Sequence, residues 1–291
     1  MLYKKKYVYN MFPIFTPPKE QKPRPAFIKY AMSRASMVDV ARSELNYTLQ
    51  PKSSTTGKKI LRKRRLNEHR ACAMRAMVSA MLYHFNIVSE LVQATVEQLS
   101  DECGLSTISK AGNKSITRAS RLITDFMEPM GFVTCKKIWD KIVGTYLPKI
   151  IRLTPLFFNL FGISVKRLHN AQLQRLGWIN KGLIDRGLEC ITLVEACRRI
   201  KDNQICNIFK YRKSKHSFYK QKIKAQKICR LEETEAKQKI LRVLVKRYSL
   251  VELTTMGPQG LKKQVNIEYY YLRKLAITPY PDADTPFKKT N

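Results

Sequence analysis

Ser115, Thr117, Arg118, Ser120 and Arg121 crowd three hydroxyls and two guanidinium groups into one short stretch, with Lys114 immediately before them. Small hydroxyl side chains reach phosphates or bases, and a guanidinium forks onto the acceptor edge of guanine. Arg118 and Arg121 are three residues apart, the spacing that puts two side chains on one face of a helix. The same stretch carries Ile116, Ala119, Leu122, Ile123 and Phe126, apolar at helical spacing. The pattern predicts a helix buried on one side, with polar residues of its first turns offered outward.

Other chemistry has little to stand on. The seven cysteines (72, 103, 135, 190, 197, 206 and 229) form no Cys-x-x-Cys pair, and the four histidines are scattered away from them. Reduced thiols packed as small apolar groups are expected, with no metal site. Ser53-Ser54-Thr55-Thr56-Gly57-Lys58-Lys59 lacks the leading glycine and the trailing hydroxyl of a phosphate-binding loop, so it reads as a linker. Tyr269-Tyr270-Tyr271 could supply a nucleophile for DNA nicking, yet no His-apolar-His pair stands by to hold the metal. No Ser-His-Asp or paired-carboxylate arrangement stands out. No catalytic residue and no cofactor is expected.

The elements around the polar helix fit a reading head. Thr95 is a good N-cap, Val96, Leu99 and Cys103 form one face of a short helix, and Gly104 stops it. A polar loop is expected over 107–114, with Ser115 capping the second helix and Glu128-Pro129-Met130-Gly131 ending it. The period then changes from helix to strand: Phe132-Val133-Thr134, and Tyr146 through Leu153. Pro148 suits an edge strand or bulge. The turn between carries Lys136, Lys137, Asp140 and Lys141. Two helices followed by a basic hairpin are the plan of a winged helix-turn-helix, although the inter-helix connection exceeds the usual length. An ordinary helical hairpin with solvated arginines is the alternative.

Upstream, Lys58, Lys59, Arg62, Lys63, Arg64, Arg65 and Arg70 lead into Met74, Met77, Val78, Met81, Leu82 and Phe85, a half-buried helix entered from a charged end. Arg62, Arg64 and Arg65 are candidate phosphate contacts. Residues 1–58 read as a Pro-rich irregular arm with one short helix over 26–45 and no core of its own. Residues 59–164 would be the DNA-binding domain and 165–278 a basic helical region. The tail, 279–291, is expected to be disordered. Ser164 can cap one helix of the basic region, and Thr192 with Glu195 another. Between 198 and 247 stand 17 Lys/Arg against four acids. Lys220 and Lys224 in this block are candidate backbone contacts.

The whole chain of 291 residues carries Lys+Arg 55 against Asp+Glu 22, a formal net charge of +33. Such a chain repels itself unless a polyanion neutralises it, which makes double-stranded DNA the expected partner. The longest apolar patch, Leu156-Phe157-Phe158-Asn159-Leu160-Phe161, is far short of the ~20 residues of a membrane span. No membrane association is expected. Lys4-Lys5-Lys6 is not followed by an apolar signal region, so a cytoplasmic location is expected.

At Glu102-Cys103-Gly104-Leu105-Ser106-Thr107, Ala111-Gly112-Asn113-Lys114-Ser115-Ile116-Thr117-Arg118-Ala119-Ser120-Arg121 and Gly144-Thr145-Tyr146-Leu147-Pro148, the sequence resembles the replication initiators of IncFII-type plasmids, the RepA proteins. The likeness is clearest over 62–164, weak before Thr56, and mainly one of basic helical character beyond Ser164. The resemblance implies an initiator that binds its plasmid's origin, helps to open the duplex and contributes to copy control. It also implies recruitment of host replication initiation and helicase-loading proteins, without nuclease chemistry. The mainly α fold with a small β wing, joined to a basic helical C-terminal unit, would equally serve a transcriptional repressor. A nucleic-acid-binding protein without sequence preference is the other alternative.

Overall fold

Helix α3, Glu68–Tyr83, sits at the centre of the larger core because ten of its residues are buried, from Ala71 to Tyr83. The Asn67 side chain caps it by accepting from the Arg70 amide. The computed structural model describes residues 10–18, 23–62, 64–109, 114–140, 144–146 and 149–278, and α3 belongs to the first of two compact units, Met1–Cys206. The second unit is Asn207–Asn291. The chain is mainly helical, with three two-stranded antiparallel ladders among the described residues.

The Pro-rich arm has no core of its own, yet it is built into the shared one. Its expected single helix is two: α1, Ala26–Met37, and a single turn α2, Leu45–Thr48. Ile28, Ala31 and Ala35 of α1 are buried in the core with α3. The chain between the two helices is held by ions: Arg75 of α3 donates to both carboxylate oxygens of Asp39, at 2.9 and 2.7 Å. The stretch read as a linker folds back on itself, with the Ser53 amide donating to the Lys58 carbonyl at 2.8 Å.

Helix α4, Val96–Glu102, is capped as expected by Thr95, whose side chain accepts from the Gln98 amide. It ends in a Schellman arrangement: Leu105 N donates to Ser100 O at 2.7 Å and Gly104 N to Asp101 O at 3.0 Å. This needs a left-handed residue, and Gly104 supplies it at φ +63°. The expected loop after it contains a short ladder instead, β1, Thr107–Ile108, paired with β2, Lys114–Ser115. Ser115 therefore lies in a strand, and α5, Thr117–Leu122, starts from Ile116 without a side-chain cap. The helix then widens into a π turn over Ile123–Met127, with Glu128 N donating to Ile123 O at 2.9 Å. Ile123, Phe126 and Met127 of this turn are buried in the core.

Strand β3, Val133–Lys136, pairs with β6, Ile150–Leu153, in the register Val133↔Leu153 to Lys136↔Ile150. Val133, Ile151 and Leu153 are buried beneath it. Inside this hairpin β4, Trp139–Asp140, pairs with β5, Thr145–Tyr146. The expected continuous strand from Tyr146 to Leu153 is thus two short ones, and Pro148 lies outside the described residues. On its other side β6 is bridged to the chain after α3: Val92 N donates to Ile151 O and Leu153 N to Glu90 O, both at 2.9 Å. A short helix α6, Pro155–Asn159, then seats Phe157 and Phe158 in the core.

Helix α7, Val165–Ile184, is capped by Ser164 as its sequence indicates. Thr192 accepts from the Glu195 amide at 3.3 Å at the start of α8, Leu193–Cys229. In the second unit α9, Glu233–Arg247, buries Ala236, Ile240 and Leu244, spaced by four residues, against Val265 and Tyr269 of α10, Leu250–Ile277. Gly257 at φ 62° and Pro258 kink α10, and a full capping box of Ser249 and Glu252 opens it.

Candidate nucleic-acid interface

Helix α5 buries Ala119 and Leu122. Thr117 and Arg121 are exposed, and Ser120 is half-buried. Ser115 Oγ lies 2.9 Å from Thr117 Oγ1, so two hydroxyls meet at the exposed start of the helix. Arg118 points elsewhere. Its guanidinium donates to the main-chain carbonyl of Asn10 at 2.5 Å and of His69 at 3.0 Å. Burial lowers its affinity for the proton below the ordinary arginine value. The same crowding acts on His69, held below its usual value by burial and by the charges of Arg118 and Arg70. Arg118 and Arg121 share a helix but not a task.

Lys114 is engaged as well. Its ammonium reaches Glu97 at 3.1 Å and Asp101 at 2.5 Å, both on α4. Burial pulls it down, but the two carboxylates outweigh this and hold it above the usual lysine value. It ties β2 to α4.

The basic run divides in the same way. Arg62 donates to Arg64 O at 3.0 Å and to Asn46 O at 3.3 Å, and lies over the Phe126 ring, 4.7 Å from its centroid. Burial lowers its proton affinity too. Arg64 is exposed, and Arg65 is exposed with its guanidinium 4.7 Å from the centroid of Tyr47. Lys136 and Lys137 are exposed at the end of β3 and just past it, while Lys141 lies outside the described residues. In the second unit Lys220 and Lys224 are exposed on α8, one helical turn apart.

The first unit thus sets Ser115, at the end of β2, beside Thr117 at the start of α5, leaves Arg121 exposed on the same helix, and leaves Lys136 and Lys137 exposed on the hairpin that follows. Sequence reasoning missed two residues on that hairpin: Trp139 and Tyr146, opposed across β4 and β5 and both largely exposed. The available signal was an aromatic on each side of a predicted turn. Among the described residues no cluster of His, Cys, Asp or Glu could hold a metal ion, and no helix is long and apolar enough to cross a membrane.

A basic hairpin follows this amphipathic helix in a chain of net charge +33, a balance that favours a polyanionic partner. The chain belongs to the IncFII RepA protein family, whose model matches residues 3–277 and so extends well beyond the 62–164 stretch where the likeness is plainest by eye. It is 69% identical over 276 residues to the probable replication-associated protein repA1 of Buchnera aphidicola subsp. Schizaphis graminum, covering 95% of this chain and 98% of that one. The repA1 protein of Buchnera aphidicola subsp. Acyrthosiphon pisum is 68% identical over 282 residues, with 97% and 100% covered. A replication initiation protein of Escherichia coli is 27% identical over 212 residues, covering 70% of this chain and 71% of its own length. No solved structure matches.

Proposed function

We propose that this protein is a plasmid replication initiator that binds double-stranded DNA at its own plasmid's origin, acts in the cytoplasm and takes part in copy control. The observation that carries this reading is the family match over residues 3–277, with relatives named as replication-associated and replication initiation proteins. The fold supports a winged helix-turn-helix as the reading head. Helices α3, α4 and α5 stand in for its three helices, the β3–β6 hairpin for its wing, and the chain at 90–92 for the third strand beside β6. Arg121 reads a base edge, Ser115, Thr117 and Ser120 fix the helix on the backbone, and Lys136 and Lys137 neutralise phosphates beside it. Arg64, Arg65, Lys220 and Lys224 add sequence-independent affinity. Arg62, Arg118 and Lys114 act one step back, holding these elements in register.

Opening of the duplex is driven by binding free energy, and host replication initiation and helicase-loading proteins then assemble on the complex. Strand cleavage has no part in it. Of the three adjacent tyrosines, Tyr269 packs in the core of the second unit while Tyr270 and Tyr271 are exposed, and among the described residues no cluster of His, Cys, Asp or Glu could hold the metal that a nicking tyrosine works beside. The test is genetic: the gene, in cis or in trans, should sustain a replicon that carries only its origin. A protein that bound the origin yet failed to sustain it would be a repressor, and the initiator reading would fall.

A further inference from the structure

Trp139 and Tyr146 face one another directly across the β4–β5 ladder, ring centroids 4.9 Å apart and planes at 76°. Trp139 is 50% exposed and Tyr146 58%. The other large aromatics of this hairpin and of the helix after it, Phe132, Phe157, Phe158 and Phe161, are almost wholly buried. A cross-strand aromatic pair stabilises a short ladder, which accounts for the contact between the rings. It does not require that so much of both rings be left open to water, where apolar surface is costly.

The surroundings indicate what would cover them. Lys136 and Lys137 are exposed immediately before Trp139, and the chain as a whole is strongly cationic. An occupant must therefore combine flat aromatic surface with negative charge. Paired bases in a duplex have both faces covered by their neighbours, whereas an unpaired base offers a face for stacking and a phosphate for the lysines.

We propose that the exposed Trp139–Tyr146 pair at the hairpin tip is a stacking platform for an unpaired base of single-stranded DNA. The inference rests on the initiator reading, because an initiator that opens a duplex meets unpaired bases beside its reading head. Stacking there would hold a melted strand and bias the origin toward the open form.

The experiment uses the full chain. The protein has two tryptophans, so in a Trp178→Phe background Trp139 is the sole indole fluorophore. Titration with oligothymidylate should quench its emission, and a strand of the same length with an abasic site at the bound position should quench less. Trp139→Ala should weaken single-strand binding about ten- to hundredfold, the effect of losing one base–aromatic stack. Duplex affinity should change less than about threefold. Trp139→Phe, which keeps a ring, should retain most of the single-strand affinity. Absence of quenching with the native Trp139 present would overturn the proposal without any change to the pair. An unchanged single-strand affinity in Trp139→Ala, or an equal loss on duplex, would also overturn it. Specific binding to origin duplex is measured alongside. Its absence would remove the initiator reading, while the single-strand titration would still decide the role of the aromatic pair.

Discussion

The guanidinium of Arg118 donates to the main-chain carbonyl of Asn10, a residue 108 positions earlier in the chain. Asn10 in turn reaches Gly104 O through its side-chain amide at 3.1 Å, and Thr16 N donates to Glu102 O at 2.8 Å. The arm is thereby fastened to the end of α4 and to the side of α5. Phe15 packs on Tyr83 of α3 with centroids 5.3 Å apart, which secures it from a third side. Arg118 holds the arm to the candidate reading head, and Arg121, on the open face of the same helix, is left free for a ligand.

The two arginines should therefore separate in experiment. Arg118→Ala removes a half-buried charged donor and leaves two carbonyls without it, so it should destabilise the fold by about 1–3 kcal/mol. Its effect on binding should be similar for every DNA sequence. Arg121→Ala should leave stability within about 0.5 kcal/mol. It should cost ~1–3 kcal/mol in origin binding and relax preference at one base position. Urea unfolding and competition with origin variants measure both. If Arg118→Ala altered base preference with the unfolding midpoint unmoved, the inward hydrogen bonds would not describe the DNA-bound protein.

Gly104 tests the same junction from the other side. At φ +63° a side chain is strained, and an added Cβ would stand 2.7 Å from Asn10 Nδ2. Gly57 has nearly the same backbone, φ +67°, but open space around it. Gly57→Ala should thus report the backbone strain alone, about 1 kcal/mol. Gly104→Ala should cost about a further 1 kcal/mol and free the arm, since Asn10 must move. Thermal unfolding and limited proteolysis over residues 10–18 would show it. Equal costs for the two alanines would mean that the arm contact contributes nothing.

What the sequence made legible follows from how local each signal is. The helical stripe Met74–Leu82 and the caps Thr95 and Ser164 are written within a few residues of where they act, so the chain alone places them, whereas Phe85, expected in the same helix, lies past its end and bridges to Val92. The inward turn of Arg118 is not placed in this way, because its acceptor lies in a Pro-rich arm with no periodicity to relate it to α5. Spacing put Arg118 and Arg121 on one helix face, yet a long guanidinium can fold back toward whichever carbonyls lie within reach. The β1–β2 ladder was missed because two residues per strand carry no detectable alternation. The π turn was missed because Ile123, Phe126 and Met127 also fit an ordinary helical stripe.

Acid should loosen the seam between the arm and α3. Glu68 is held down to about 2 by hydrogen bonds from Arg75 and then Arg42. Asp39 is lowered by Arg75 in the same cluster. A carboxylate depressed in the folded state stabilises it above the unfolded value, and that contribution is lost as pH falls through the folded value. For Glu68 the window runs from its ordinary 4.5 down to about 2. Denaturant midpoints should drop across this window, and Glu68→Gln should flatten part of the drop while leaving the rest, due to Asp39, in place. Because Glu68 is exposed, the change should be modest and should shrink in high salt. A midpoint in Glu68→Gln that falls as steeply as in the native chain would show that the Arg42–Glu68–Arg75 contacts do not stabilise the fold.

The last expectation concerns the division of labour between base reading and charge. Lys220 and Lys224 are exposed one turn apart on α8. If they meet phosphates, each neutralised charge releases counterions, and log affinity falls with log salt by about 0.9 per contact. Replacing either lysine by Gln should weaken all duplexes alike and reduce the salt slope by about 1. Arg121→Ala should instead change the ranking of origin variants at any one salt concentration. Competition binding at several salt concentrations resolves the two behaviours, since one changes a slope and the other an order of preference. If the lysine replacements reordered the variants while Arg121→Ala lowered all of them equally, base reading would belong to the second unit, and α5 would be one more cationic face.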